Sequence, residues 1–173
     1  MNAKFAALHD VAQVLAEHIR AETAVADVEV GAPQQPGATT QPGVRLTLLS
    51  AAPLPALSGE PPRSRRSLTP PALSISCFYL VSTSGAEGHD PVAAHDALGE
   101  VVRLIHAMPV LHLPRPTQVA SPPSTVTERG EGQLRLTQVS MSIEQLAQIW
   151  LALRQPLQPC ALLEAGPIQL ASG

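Results

Sequence analysis

The 173-residue chain is long enough to bury one hydrophobic core, and residues 1–173 are expected to form a single domain. A formal net charge of −3, with only 14% charged residues, leaves no broad cationic surface, so neither nucleic acid nor a membrane is expected as a partner. Charged residues interrupt the N-terminal segment where a signal peptide would have its apolar core, which predicts a protein that begins in the cytoplasm.

The composition predicts a core of aliphatic side chains. The chain has 18 prolines, but its aromatic residues are only two Phe, one Tyr and one Trp. The prolines cluster in two stretches, about residues 51–71 and 112–132, which are expected to be long irregular loops. Cys77 and Cys160 fall on predicted strands and are interpreted as small hydrophobic residues rather than as a disulfide.

The first half of the chain predicts one helix followed by three strands. Apolar residues recur at helical spacing over Ala3 to Glu22. Alternating apolar positions then predict strands over Val25 to Val30 and Val44 to Leu49. The strand over Leu73 to Val81 places apolar side chains on one face and serines mostly on the other.

Local signals define a second helix before the next irregular stretch. Asp90 is a typical N-cap residue, Pro91 suits the first helical position, and Pro109 ends the pattern. The segment between Asp90 and Pro109 is therefore predicted to be an amphipathic helix.

The last part of the sequence predicts a strand over Leu134 to Val139, a helix that begins after Ser142, and a final strand over Cys160 to Leu170. Ser142 and Gln145 have the spacing of a capping box, and Pro156 follows the helix. The stripe expected to be buried on this helix consists of Ile143, Leu146, Ile149, Trp150 and Leu153. The resulting α-β-β-β-α-β-α-β order predicts an α+β fold: a mixed β-sheet with about three helices packed mainly on one face.

No set of residues has the spacing of a catalytic, cofactor or metal site. None of the histidines forms the His-Glu-x-x-His pattern of metal hydrolases, and no Gly-x-Ser-x-Gly nucleophile motif occurs. The turn from Ser84 to Asp90 lacks the Gly-Lys-Ser/Thr ending of a phosphate loop and carries two carboxylates instead. We therefore expect no enzyme activity. The histidines are His9, His18, His89, His95, His106 and His112.

Arg63, Arg65 and Arg66 form the only dense cationic group of the sequence and lie in the first proline-rich stretch. Two interpretations stay open. The arginines form a solvated loop that keeps the chain soluble, or they form a contact arm whose guanidinium groups bind carboxylates of a partner subunit.

Short motifs follow one another in a characteristic order: a "YL" strand, a helix with Leu-Gly, a Pro-Val-Leu exit, a Trp-containing helix and a proline-flanked approach to the last strand. The residues are Tyr79-Leu80, Leu98-Gly99, Pro109-Val110-Leu111, Trp150 and Pro156 to Cys160. In order and spacing, over about residues 3–170, the chain resembles the cap or tube-terminator family (N-terminal domain) of extracellular contractile injection systems, of the virulence-cassette and antifeeding-prophage type.

The resemblance implies a structural protein similar to phage tail terminators. Such a protein would form a ring, expected to be a hexamer, on the distal end of the inner tube, where it stops tube growth and joins the last sheath ring. The implied partners are further copies of the chain, the tube protein and the sheath protein, assembled in the cytoplasm into a phage tail-like particle. Two alternatives remain: another tail adaptor such as a baseplate connector, or a cytosolic ligand-binding α+β domain.

Overall fold

The computed structural model describes residues 3–5, 8–33, 42–54, 73–84, 91–113 and 132–170. Three helices and seven strands are formed within these ranges. In chain order they are β1 Ala3–Phe5, α1 Leu8–Glu22, β2 Asp27–Val30, β3 Gly43–Pro53, β4 Leu73–Ser84, α2 Val92–Ala107, β5 Val110–Leu113, β6 Gly132–Val139, α3 Ile143–Ala152 and β7 Cys160–Leu170.

All seven strands belong to one mixed sheet with the order β2-β3-β4-β7-β6-β5, and β1 pairs with β7. The pairs β3–β4, β4–β7, β6–β7 and β5–β6 are antiparallel, whereas β1–β7 and β2–β3 are parallel. A mixed sheet combined with three helices confirms the predicted α+β class.

The main core lies between one face of this sheet and helices α1 and α2. Alternate residues of β4 enter it, as the sequence pattern predicted, and α1 and α2 contribute their apolar stripes. Cys77 is buried in this core and Cys160 is half-buried; both are free thiols, which agrees with their interpretation as small hydrophobic residues. The core residues of these three elements include Ile75, Tyr79, Val81, Val11, Leu15, Ile19, Val101 and Leu104.

The opposite face of the central strands is also shielded from water. Leu80 and Leu162 are cross-strand partners of β4 and β7, and both are buried although neither belongs to the main core. Ser76 and Ser82, which the sequence placed on this face, are buried as well. The middle of the sheet is therefore dry on both sides.

A buried arginine forms an ion pair at the edge of this second face. Arg45 of β3 is only 3% exposed, and its two terminal nitrogens each lie 3.2 Å from a carboxylate oxygen of Asp27 on β2. Glu29 lies 3.4 Å from the same guanidinium but is largely exposed. The bidentate partner Asp27 therefore neutralises most of the buried charge and joins the parallel pair β2–β3.

This pair provides a matched stability test. Asp27→Asn is expected to lower the free energy of unfolding by about 2 kcal/mol, because it leaves the buried Arg45 guanidinium with only the exposed Glu29 carboxylate. Glu29→Gln, which removes an exposed partner of the same arginine, is expected to cost less than about 0.5 kcal/mol. Urea unfolding of the two variants measures the difference, and equal losses would show that Asp27 does not have this role.

Element boundaries in the N-terminal half differ from the sequence prediction, most of all at the first helix and at the end of β3. The helix predicted from Ala3 begins at Leu8, and Ala3–Phe5 instead forms β1. The reason is long-range pairing, because these three residues lie in parallel register with residues 168–170 of β7. The strand predicted over Val44 to Leu49 extends to Pro53, since its last residues pair with β4.

The second helix also begins slightly differently. Pro91, predicted as the first helical residue, occupies the N-cap position with helical φ and ψ of −57° and −17°, and its carbonyl accepts the N–H groups of Ala94 and His95. Asp90, the predicted N-cap, lies outside the described residues. The helix ends at Ala107, just before Pro109, as predicted.

Strands occupy both ends of the second predicted loop. Within the stretch 112–132, His112 and Leu113 belong to β5 and Gly132 begins β6. The two strands pair with each other, so these three residues of the predicted loop belong to the sheet. Its remaining residues lie outside the described ranges.

Two glycines provide a second stability test. A methyl group at Gly166 in β7 would lie 2.6 Å from the Ser76 hydroxyl oxygen and 3.2 Å from the Ser76 Cα, whereas one at Gly99 in α2 would meet nothing within 4 Å. Gly166→Ala is expected to destabilise the fold by about 1–2 kcal/mol through this overpacking. Gly99→Ala is expected to stabilise it by about 0.5–1 kcal/mol, because alanine is the better helix former. Thermal unfolding of both variants measures the two effects, and a stabilised Gly166→Ala variant would contradict the crowding.

Candidate partner-binding surfaces

The described residues contain no cluster suited to metal binding. No group of three or more His, Cys, Asp or Glu residues in these ranges is arranged to hold a metal ion. Of the six histidines, His89 lies outside the described residues, and the others are on separate elements or separate turns. None of the helices in the described ranges combines the length and apolar character needed to cross a membrane.

Burial favours the neutral forms of three side chains, Cys77, Tyr79 and His18. Burial raises the pKa of the Cys77 thiol, and burial together with the neighbouring Cys77 raises the pKa of the Tyr79 hydroxyl. Burial also lowers the pKa of His18, against the opposing effect of the Glu22 carboxylate. A reactive thiolate would require the opposite shift, and Cys77 is instead fully buried in the main core.

Helix α3 has a complete N-terminal cap. The Ser142 hydroxyl accepts the Gln145 N–H at 3.3 Å, and the Gln145 side-chain oxygen accepts the Ser142 N–H at 3.0 Å, which confirms the predicted capping box. The helix is therefore defined by its own sequence and not only by packing against the sheet.

The stripe predicted to be buried on α3 is buried only in part, and the prediction is wrong at Ile143. Trp150 is the only buried residue of the helix, Leu146 and Ile149 are half-buried, as is the following Leu153, and Ile143 is 75% exposed. Trp150 itself does not belong to the main core. The helix therefore lies outside the α1–α2 layer.

A second apolar stripe of α3 faces water. Ile143, Ala147 and Leu151 follow i, i+4, i+8 spacing and are all exposed, Leu151 at 78%. We call these three residues the α3 ridge. Leu157, in the connection to β7, adds a further 61% exposed side chain. Exposed aliphatic side chains at this spacing are typical of a surface that another protein covers.

Among the strands that the structure describes, β2 and β5 are the edge strands of the sheet, and each pairs with a neighbour on one side only. At the β5 side, Leu136 donates its N–H to the Pro109 carbonyl at 2.8 Å, but a proline has no N–H to return. The adjacent groove has a volume of about 290 Å³, and residues from Arg135 to Gln138 of β6 line it together with the end of α2. An exposed strand edge of this kind accepts a further strand from a partner.

A separate groove lies between the α1–β2 connection and the first half of α2. It has a volume of about 340 Å³, and its rim carries the carboxylates of Asp96 and Glu100. The other lining residues share small, apolar side chains. They are Ala24, Val25, Ala26, Pro42, Ala93 and Ala97. We call this the alanine groove.

Glu100 is fixed at the rim of the alanine groove. One of its oxygens accepts the Ala24 N–H at 3.3 Å, and the other forms an ion pair with Arg103, one turn later on the helix. The Ala24 N–H and then Arg103 lower the pKa of the Glu100 carboxyl. Asp96, one turn earlier, is exposed, so the groove presents negative charge to solvent.

The candidate contact residues Arg63, Arg65 and Arg66 lie outside the described residues, so their role stays a prediction. The α3 ridge has a sequence signal in its i, i+4, i+8 spacing, but Ile143 belongs equally to the stripe that the helical pattern predicts to be buried. The alanine groove gave no sequence signal, because its walls come from residues far apart in the chain.

Comparison with known proteins connects this fold with contractile systems. The family model described as the Pvc16 N-terminal domain matches residues 10–173. No curated protein sequence matches the chain.

Two solved structures share the fold. The PVC sheath/tube terminator of an extracellular contractile injection system, in its extended state, superposes with a TM-score of 0.61 at 18% identity, over 96% of this chain and 58% of that one. The tube-terminating cap of the anti-feeding prophage gives a TM-score of 0.61 at 14% identity, over 98% of this chain and 57% of that one. The chain thus spans slightly less than three fifths of each of these proteins.

Proposed function

We propose that this chain, which belongs to the Pvc16 N-terminal domain family, is part of a structural cap that ends the inner tube of a contractile injection system. In this proposal, copies of the protein form a ring, a hexamer, on the distal end of the tube. The ring stops further addition of tube subunits and joins the last sheath ring. The partners are then the tube and sheath proteins and further copies of the chain, and assembly begins in the cytoplasm.

The exposed α3 ridge is the observation that most favours assembly over a freely diffusing domain. A monomer would leave Ile143 and Leu151 in water, each more than 70% exposed, on a helix whose cap holds it in place. Contact with a second protein would remove this apolar area from water and gain the corresponding hydrophobic free energy. The two named structural neighbours are a tube terminator and a tube-terminating cap, which supports the same class of function.

The two alternative functions, a ligand-binding domain and another tail adaptor, require different surface features. A cytosolic ligand-binding domain needs an enclosed pocket with convergent polar groups, whereas the alanine groove and the groove beside β6 are each open to solvent. Another tail adaptor, such as a baseplate connector, would use the same kind of exposed surfaces. Labelling the protein in assembled particles separates the two structural roles, because a connector would be found at the baseplate end.

The open sheet edges fit the proposed contact with the sheath. An extended sheath segment that pairs with the edge of β5, or with β6 beyond Pro109, would satisfy backbone groups that the sheet leaves unpaired. Such strand addition obtains affinity from main-chain hydrogen bonds and therefore requires little side-chain specificity. The edge strand β2 offers a second position of the same type.

The first functional test is tube length. Particles assembled without this protein are expected to carry tubes of irregular or excessive length, because an uncapped ring end remains a template for the next ring. Electron micrographs of particles with and without the protein give the two length distributions. An unchanged distribution would refute the capping role.

The second functional test uses the α3 ridge. Ile143→Asp combined with Leu151→Asp is expected to abolish tube capping while leaving the melting temperature within a few degrees, because both side chains are exposed in the free protein. The matched control is Gln148→Asp combined with Ala152→Asp, which adds the same charge at exposed positions of the same helix outside the ridge.

Tube-length distributions after complementation with each double variant provide the measurement. The control is expected to restore normal lengths and the ridge variant is not. Full restoration by the ridge variant would show that α3 takes no part in the assembly.

A further inference from the structure

We propose that the alanine groove receives the arginine segment Arg63 to Arg66 of a neighbouring copy of this chain. The inference rests on the proposed ring and adds to it a contact between copies. It gives a role to the carboxylates of the alanine groove and to the arginine segment.

The chemistry of the groove fits a guanidinium side chain. Its walls are alanine, valine and proline side chains, which leave room for a flat group and can pack against the alkyl stem of an arginine. Its rim carries Asp96, which is exposed, and Glu100, which the Ala24 N–H and Arg103 hold in place. A carboxylate at the mouth of an apolar slot accepts the paired N–H donors of a guanidinium group.

The sequence contains one segment with the complementary charge. The chain has 11 Lys and Arg residues in total, and Arg63, Arg65 and Arg66 place three of them within four positions. The overall charge is −3, so this density of cations is unusual for the chain. Charge complementarity of this kind steers two surfaces together and disfavours wrong pairings.

The length of chain that attaches the arginine segment to the sheet favours binding to the groove of a neighbouring copy over binding to its own groove. The arginine segment is attached at Leu54 and Leu73, whereas Pro42, at the groove, adjoins Gly43, which pairs with Ser84 at the other end of β4. Those eleven steps of β4 span about 37 Å. Arg65 is eight residues from Leu73, and eight residues extend over at most about 28 Å. Even a fully stretched backbone from Leu73 to Arg65 is therefore shorter than the distance along β4, which favours an arginine segment that comes from a neighbouring copy.

Charge reversal in both surfaces tests the inference on the intact protein. One variant carries Arg65→Glu with Arg66→Glu, and the other carries Asp96→Lys. Glu100 is left unchanged because it also bonds to Ala24 in the fold. The controls are Arg115→Glu with Arg129→Glu, which alters charge in the other proline-rich stretch, and Glu17→Lys, an exposed acid on α1 outside the groove.

Self-association of each protein is measured by sedimentation velocity at about 50 mM salt and again at about 500 mM, where surface charges are screened more strongly. Each groove or arginine variant alone is expected to self-associate about tenfold more weakly than the unchanged protein. The controls are expected to keep its affinity. The affinity of the unchanged protein is expected to fall as salt rises.

A mixture of the two reversed variants distinguishes a neighbouring copy from the same copy. In an alternating assembly, the unchanged arginines of one variant meet the unchanged Asp96 of the other, and the introduced glutamates meet the introduced lysine. Association is therefore expected to return when the variants are mixed. If mixing restores nothing, or if the reversed variants associate as well as the controls, the inference is wrong.

An unchanged protein that stays monomeric at every concentration would also overturn the inference. The capping proposal is judged separately by tube length. If tubes are abnormal without the protein, but both reversed variants self-associate as well as the controls, the cap function stands and only this contact is wrong.

Discussion

Strand pairing with β7 is the interaction on which the rest of the molecule depends. This strand pairs with β4 on one side and with β6 on the other, and its last three residues also pair with β1. Because β4 and β6 in turn pair with β3 and β5, every strand is connected to the sheet through β7. The crowding at Gly166, where β7 passes close to Ser76, shows how little space separates the central strands. A chain with so few aromatic residues obtains its cohesion from this ladder and from aliphatic side chains on both faces of it.

The same arrangement explains why α3 has an exposed apolar stripe. Helices α1 and α2 fill one face of the sheet, whereas α3 connects β6 to its neighbour β7 and contributes only Trp150 as a buried residue. A helix in this position needs local signals to be stable, and the capping box at Ser142 provides them. The exposed stripe is then held in a fixed orientation, which reduces the entropy that a partner would lose on binding.

Much of the fold was predictable because its signals are local. Alternation in β4, the proline that ends α2, the capping box of α3 and the bounds of β7 follow from neighbouring residues. The errors arose where distant pairing decides the structure. Ala3–Phe5 continues a helical pattern but pairs with β7, more than 160 residues away, and β5 is a four-residue strand that β6 stabilises.

The candidate surfaces were less predictable for a different reason. α3 has apolar residues at enough positions for two stripes, and the sequence does not determine which stripe faces the sheet, so Ile143 was assigned to the core although it is exposed. The alanine groove joins residues 24–26, 42 and 93–100, a combination that only the folded chain creates. For the arginines, by contrast, the sequence alone indicated a cationic group that could bind carboxylates, and the fold adds a groove lined by two carboxylates.

The proposed contact between the arginine segment and the alanine groove would determine the geometry of a ring. The arginine segment is attached where β3 ends and β4 begins, and the groove lies by the opposite ends of these strands. Two different surfaces that bind each other produce a head-to-tail contact, which generates a closed ring when the rotation between copies is right and a helical filament when it is not. Weak, directional charge contacts suit the closed form, because they fix the rotation while contributing modest affinity. In the proposed cap, the apolar α3 ridge would then supply affinity for the structure that the ring covers, and the charged contact would ensure that the ring closes instead of continuing along the axis.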